Sequence, residues 1–156
     1  MSESSSSSGP IDQCIERWHQ HIAHQLPGGL DSVLHADVVF FSPVVFSPQE
    51  GRDVTKMYLT AAAQTLGGEN QSAQEQAKAK ADGTAFRYTK QVLADHQAVL
   101  EFETTLDGKS VNGVDIITCD DESMITEFKV MVRPLQAIQA VHQQMMTMLE
   151  TMQADA

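Results

Sequence analysis

Cysteine and positive charge are scarce in this sequence of 156 residues. Its 2 cysteines, Cys14 and Cys119, form no CxxC pair, and no secretory apolar segment is present, so we expect a reducing, cytoplasmic setting. The 10 Lys and Arg residues stand against 21 Asp and Glu, and the resulting net charge of -11 would repel nucleic acid and anionic membrane surfaces. No apolar run approaches the roughly 20 residues that a membrane-spanning helix needs. The composition therefore predicts a protein that binds neither nucleic acid nor membranes.

Signatures of cofactor and metal binding are also missing. No glycine-rich nucleotide loop is present. His19, His21 and His24 fall on a predicted helix, but at about 100° per residue they do not converge: the first two flank opposite edges of its apolar stripe and the third points away. Cys119 has no recognisable histidine partner, which favours a small buried apolar role over a nucleophile. We therefore expect neither a cofactor nor a metal site.

The first half of the chain predicts a tail, helices and one strand. Residues 1–9 form a serine-rich segment that is expected to be disordered, which leaves residues 10–152 as a single domain. A helix opened by Pro10 and stopped near Pro27 is expected, followed by a short helical turn, a strand over 38–42 and a helix over 52–66. The apolar stripe of the first of these helices, opened by Pro10, comprises Ile11, Cys14, Ile15, Trp18, Ile22 and Leu26. Residues 67–83 are polar on every side, which favours a mobile insertion with at most a frayed helical turn.

The second half predicts an antiparallel meander. Strand-like runs cover 84–94, 97–106, 111–119 and 124–132, and the turns between them include Asp95-His96 and Asp107-Gly108. A last helix follows Pro134, and its apolar face needs a groove or a partner to cover it. That predicted face comprises Leu135, Ile138, His142, Met145, Leu149 and Met152. Helices, a strand, a helix and then a run of strands indicate the α+β class.

Asp115 is unusual because it lies at the centre of an otherwise apolar strand, VNGVDIITC. An unpaired carboxylate that leaves water is costly or keeps its proton. The period of two puts Leu100 and Phe102 on an inner face opposite the charged pair Lys90 and Glu101, and it puts Phe128, Val130 and Val132 on the inner face of the last strand. Periodicity alone does not orient Asp115.

The ordered segments HADVVFFSP, EGRDVTKMYL, VLEFETTLDG and VNGVDIITCDDESMITEFKVMVRP resemble the nuclear transport factor 2-like superfamily, particularly its SnoaL-like branch, which includes polyketide cyclases and is related to ketosteroid isomerases. The resemblance implies a cone-shaped, curved antiparallel sheet wrapped around N-terminal helices, with a C-terminal helix. It also implies an inward-facing Asp115, because the isomerases and cyclases carry a functional aspartate at this position. The side chains that it places around an apolar pocket are Trp18, Phe40, Ser42, Leu100, Phe102, Asp115, Phe128, Val130 and Val132.

Two positions depart from the isomerase pattern. Ser42 precedes Pro43 where the isomerases carry their proton-shuttling aspartate, which argues against a steroid double-bond shift. Trp18 stands where they carry a tyrosine on the first helix, and an indole donates a hydrogen bond but is not an acid. A reaction that needs a single acid/base group is compatible with both departures.

Two hypotheses of function remain open. In the first, a cofactor-independent isomerase, cyclase or hydrolase binds a small hydrophobic molecule, and Asp115 acts as its acid/base with a raised pKa. In the second, Asp115 only shapes the cavity of a non-catalytic ligand-binding or protein-interaction module. In either, apolar side chains on the outer sheet face predict a homodimer, as is common in the superfamily. Those side chains are Phe86, Tyr88, Val92, Val99, Val114, Ile116 and Met131.

Overall fold

The computed structural model describes residues 9–69 and 71–154. Apart from Gly9, the predicted disordered tail lies outside the described residues. The elements in chain order are α1 (Pro10–Ile22), a short 3-10 helix (Gly29–Ser32), β1 (Leu34–Phe41), β2 (Gln49–Glu50), α2 (Arg52–Thr65), α3 (Ala73–Asp82), β3 (Arg87–Ala94), β4 (Gln97–Leu106), β5 (Lys109–Cys119), β6 (Ile125–Arg133) and α4 (Leu135–Ala154). This succession confirms the predicted α+β class with a C-terminal helix.

The six strands form one curved, open sheet in the order β2-β1-β6-β5-β4-β3. The meander from β3 to β6 is antiparallel, as expected. The pair β1 and β6 is parallel, with Phe40 opposite Phe128, so the sheet is mixed and not wholly antiparallel. Strand β2, which the sequence pattern did not predict, pairs with β1 at the sheet edge. The parallel pairing brings the first strand beside the last one, where both can line one concave face.

Helix α1 begins with Pro10 in its first turn, and the carboxylate of Asp12 accepts the Gly9 backbone N–H at 2.8 Å. Its predicted stripe is buried as far as Trp18. The helix ends at Ile22, earlier than predicted, and Ile22 is 40% exposed. The buried stripe packs α1 against the strands β3, β4 and β5.

The polar segment after α2 contains a regular helix, which corrects the prediction of a mobile insertion. Ser72 and Glu75 form a reciprocal cap at the start of α3, with hydrogen bonds of 3.0 and 3.1 Å between side chains and backbone. Gly83 ends the helix with φ of 75°. Because α3 buries no residue, this capping and not packing defines its limits.

Helix α4 packs against α2 and the strands β4 to β6, which cover the apolar face that the sequence left without a partner. The face that it buries differs from the predicted one. Leu135 is 71% exposed and His142 is also exposed. The side chains that α4 buries are Ala137, Ala140, Val141, Met145 and Leu149. The small side chains Ala137 and Ala140 share a buried cluster with Ala61 of α2, and a prediction made from large apolar residues does not include them.

The inner sheet face carries the core. Along β5 the odd positions from Val111 to Cys119 are buried and the even positions are less so. Asp115 therefore shares the buried face with Ile117, as the resemblance implied. No helix in the described part of the chain has the length and apolarity needed to cross a membrane.

Candidate active site

A cavity of about 440 Å³ lies between α1, α2, α4 and the inner face of the sheet. Six of the nine residues that the sequence assigned to a pocket line it: Trp18, Phe40, Phe102, Asp115, Phe128 and Val130. Three do not. Leu100 is fully buried in the core beneath α1, and Val132 packs in the second core cluster with α4. Ser42 accepts the Val44 backbone N–H at 3.1 Å, while its neighbour Pro43 lines the cavity.

Asp115 occupies an apolar part of the cavity wall. Its partners on the neighbouring strands are Leu100 and Val130, and the residue is only 6% exposed. Burial raises the pKa of its carboxyl from 3.8 to about 7, because an apolar environment disfavours the charged form. The hydrogen bond from Tyr88 opposes part of that rise by stabilising the carboxylate. Both the neutral and the ionised form of the carboxyl group are therefore accessible near neutral pH.

Tyr88 is the partner of Asp115, and its hydroxyl donates to Asp115 Oδ2 at 2.7 Å. The prediction that Tyr88 lies on the outer face was wrong. A bulge between Tyr88 and Lys90 breaks the period of two, so Tyr88 lies opposite Phe102 while Lys90 still lies opposite Glu101. The sequence does carry a trace of this bulge.

That trace is a change of parity along β3. Partly buried apolar side chains fall on the even positions Phe86 and Tyr88, then on the odd position Leu93. A regular strand would keep one parity, so the switch indicates an extra residue between the two sets. Phe86 likewise lies inside: its ring stacks on Phe102 with centroids 5.1 Å apart, which corrects its predicted outer location.

Trp18 completes a chain of three side chains. Its indole Nε1–H donates to the Tyr88 hydroxyl oxygen at 2.9 Å, and its ring packs against Phe128 with centroids 5.0 Å apart. Burial and the nearby Asp115 carboxylate both raise the pKa of Tyr88, so the phenol keeps its proton. The chain Trp18–Tyr88–Asp115 thus joins α1, β3 and β5 by side-chain hydrogen bonds.

The mouth of the cavity is polar. His24, two residues after α1, lies 3.2 Å from the Glu69 carboxylate, which follows α2. His21 lies deeper, beside Trp18, and its pKa is lowered by burial and by His24. The sequence predicts that His24 points away from the apolar stripe, whereas in the structure it lies at the mouth of the cavity. Within residues 9–69 and 71–154, no three His, Cys, Asp or Glu side chains group closely enough to hold a metal ion.

The remaining predicted candidates lie away from the cavity. His19 contacts the Gln91 side chain at 2.8 Å. It lies beside an open depression of about 460 Å³ on the surface of α1, and the two carboxylates that line this depression, Asp12 and Glu16, are not buried. Cys14 and Cys119 are free thiols in the core, and burial raises the pKa of both. Protonated, buried thiols are poor nucleophiles.

The outer sheet face carries an apolar patch of five side chains, and we call it the outer patch: Val92, Val99, Val114, Ile116 and Met131. The strand register makes it continuous, because Val99 lies between Val92 and Ile116, and Val114 lies opposite Met131. Val92 is 54% exposed and Met131 is 52% exposed. All five belong to the predicted set of outer residues, and the other two members of that set, Phe86 and Tyr88, lie on the inner side.

Comparison with known proteins finds structural relatives. No family model matches the sequence, and no curated protein matches it. A steroid delta-isomerase from Pseudomonas aeruginosa is 29% identical, with a TM-score of 0.76 over 94% of this chain and 96% of the isomerase. An uncharacterised protein with a cystatin-like fold from Silicibacter pomeroyi is 24% identical, with a TM-score of 0.68 over 86% of this chain and 83% of that one. A nuclear transport factor 2-like protein of unknown function from Mesorhizobium loti is 19% identical, with a TM-score of 0.60 over 81% and 96%.

Proposed function

This chain belongs to the nuclear transport factor 2-like superfamily, and from that premise we propose that it is a cofactor-independent isomerase, cyclase or hydrolase that acts on a small hydrophobic molecule with Asp115 as acid/base. The observation that carries the proposal is a buried carboxyl group that faces an apolar cavity with its pKa raised to about 7. A group with such a pKa exchanges protons at neutral pH in both directions. It needs no second titrating partner for a single proton transfer.

The cavity supports a small, mostly apolar substrate. Its volume of about 440 Å³ falls in the lower part of the usual range for ligand sites, roughly 300 to 1,000 Å³. Aromatic rings from Trp18, Phe40 and Phe128 line the same cavity as Asp115 and pack against one another. A carbonyl compound suits such a site, because neutral Asp115 can donate to the carbonyl oxygen and ionised Asp115 can remove a proton from the adjacent carbon.

A steroid double-bond shift fits this chain less well than its relatives suggest. One relative is named a steroid delta-isomerase. In this chain Ser42 stands where the isomerases that it resembles carry a proton-shuttling aspartate, and Ser42 does not line the cavity. Moving a hydrogen between two carbons needs a base that reaches both positions, and Asp115 alone occupies one wall. We therefore favour a reaction with one proton transfer at the carbon next to a carbonyl group.

Deuterium exchange tests this proposal without knowledge of the natural substrate. The protein is incubated in D2O with a panel of small apolar ketones, and deuteration beside the carbonyl is followed by mass spectrometry. Asp115→Asn is the matched variant, because it keeps the shape of the side chain and removes the titrating group. We expect exchange that the wild type accelerates and the variant does not. Equal rates for the two proteins, with a ketone bound in both, would contradict an acid/base role and favour the binding module.

The alternative function is a non-catalytic module, and the surface that such a module would use for association is the outer patch. A continuous apolar surface of this kind favours a homodimer through the outer sheet face, which is compatible with either function. We therefore propose the dimer for both. Light scattering should give twice the chain mass of 17.1 kDa. Met131→Lys should yield monomers, whereas Leu135→Lys, at an exposed apolar residue outside the patch, should not; a monomeric wild type would refute the dimer.

The setting and extent of the protein belong to the same proposal. The sequence has only 2 cysteines and no CxxC pair, which supports a reducing, cytoplasmic location. The sheet packs with α1, α2 and α4 around two adjoining core clusters that share Tyr58, Tyr88 and Val130, which supports one domain over residues 10–152. Limited proteolysis that produced two stable fragments would argue against a single domain.

A further inference from the structure

We infer, building on the proposed function, that Trp18 is a positioning residue: its indole N–H sets the direction of the Trp18–Tyr88–Asp115 chain, so that Asp115 gains and loses its proton at Oδ1, the oxygen that faces the cavity. The inference concerns which atom carries the proton, which the proposed function leaves open.

The direction of the chain begins at Trp18, because an indole N–H donates and never accepts. The Tyr88 oxygen, 2.9 Å away, must therefore be the acceptor of that hydrogen bond. The Tyr88 hydroxyl carries a single proton, and with its oxygen engaged by Trp18 that proton is directed to Asp115 Oδ2 at 2.7 Å. Tyr88 thus acts as a fixed donor to Oδ2.

The two oxygens of Asp115 then have different roles. A proton on Oδ2 would face the Tyr88 proton, so the neutral acid must carry its hydrogen on Oδ1. Among the described residues Oδ1 has no hydrogen-bond partner, and it is not sealed from solvent. The neighbouring side chains across the sheet, Leu100 and Val130, are apolar and offer no other polar contact. Oδ1 is therefore the atom at which this carboxyl group can meet a ligand.

The direction of the chain can be tested without any ligand, through the carboxyl ¹³C resonance of Asp115. Four proteins form a double-mutant cycle: the wild type, Trp18→Phe, Tyr88→Phe and the variant that carries both changes. Once Trp18 no longer occupies the Tyr88 oxygen, the phenol can turn and accept from neutral Asp115. Trp18→Phe should then raise the Asp115 midpoint by roughly half a unit to one unit when Tyr88 is present, and leave it unchanged when Tyr88 is replaced.

Equal shifts in the two backgrounds, or no shift in either, would overturn the positioning role, since loss of packing alone is independent of Tyr88. A second readout needs no change at Trp18 and so does not depend on its variant folding. The chain has 1 tryptophan, so its indole proton gives one identifiable signal. That signal should titrate with the midpoint of Asp115 in the wild type and lose this response in Tyr88→Phe. An indole signal indifferent to Asp115 in the wild type would also overturn the inference.

Because the titration cycle uses no ligand and the exchange assay uses Asp115→Asn alone, failure of the inference is distinguishable from failure of the proposed function.

Discussion

Replacing Asp115 with asparagine should make the protein more stable at alkaline pH, by an amount that the structure allows us to work out. Below the ordinary pKa of 3.8 the carboxyl is neutral in both the folded and the unfolded chain. Between 3.8 and about 7 the unfolded chain gives up this proton while the folded chain keeps it, so the free energy of unfolding falls as pH rises. Each unit of pKa corresponds to about 1.4 kcal/mol, so the full loss above the folded pKa is about 4 kcal/mol.

Urea unfolding of the wild type and of Asp115→Asn across a range of pH measures this loss. Below the pH range in which Tyr88 titrates, the other groups titrate alike in the two proteins, so the difference in unfolding free energy isolates Asp115. Asparagine keeps an oxygen that can accept from Tyr88, which preserves the packing and the hydrogen bond. We expect the advantage of the variant to grow with pH and to level off above about 7, by about 4 kcal/mol in all. A difference that stays constant with pH, or that falls as pH rises, would refute the buried carboxyl as described.

Further changes test other parts of the structure. Gly113→Ala would place a Cβ 2.5 Å from Phe102 Cζ and 2.6 Å from the Met131 carbonyl oxygen, so a loss of about 1–3 kcal/mol in urea unfolding is expected, and an unchanged midpoint would contradict that packing. Phe40→Ala removes a ring that is 1% exposed, and calorimetric unfolding should show a loss of about 3–5 kcal/mol; less than about 1 kcal/mol would mean that the ring is not in the core. Ser72→Ala should speed amide hydrogen exchange in α3 about fivefold through loss of its cap, while the urea midpoint stays the same because α3 buries nothing; a shifted midpoint would show that α3 supports the core.

Regular periodicity in the sequence predicts much of the fold. The stripe on α1, the alternation along β4 and β5 and the turns at Asp95 and Asp107 were all visible in the sequence, because each repeats a local rule. The parallel pairing of β1 with β6 was not visible, since it joins segments far apart in the chain. The buried face of α4 differs from the predicted one for a related reason: which face is buried depends on the helix that it meets, and α4 buries alanines where it packs with α2.

The candidate site was only half visible in the sequence. Asp115 was singled out as a charge in an apolar strand, and the resemblance oriented it. Tyr88, its direct partner, was assigned to the wrong face because a single bulge inverts the side-chain alternation on one side of it. The mouth residues His24 and Glu69 meet only because α1 and α2 end near each other, which no local pattern encodes.

The ionisation of Asp115 in the folded wild type is the measurement that tests the account most directly. Carboxyl ¹³C resonances of aspartate-labelled protein are followed with pH, and the signal missing from Asp115→Asn identifies the residue. The account predicts a midpoint of about 7, within reach of proton transfer at neutral pH. A midpoint at or below the ordinary 3.8 would contradict it, because the carboxyl would then be a charged, well-solvated or strongly paired group and not a buried acid facing an apolar cavity.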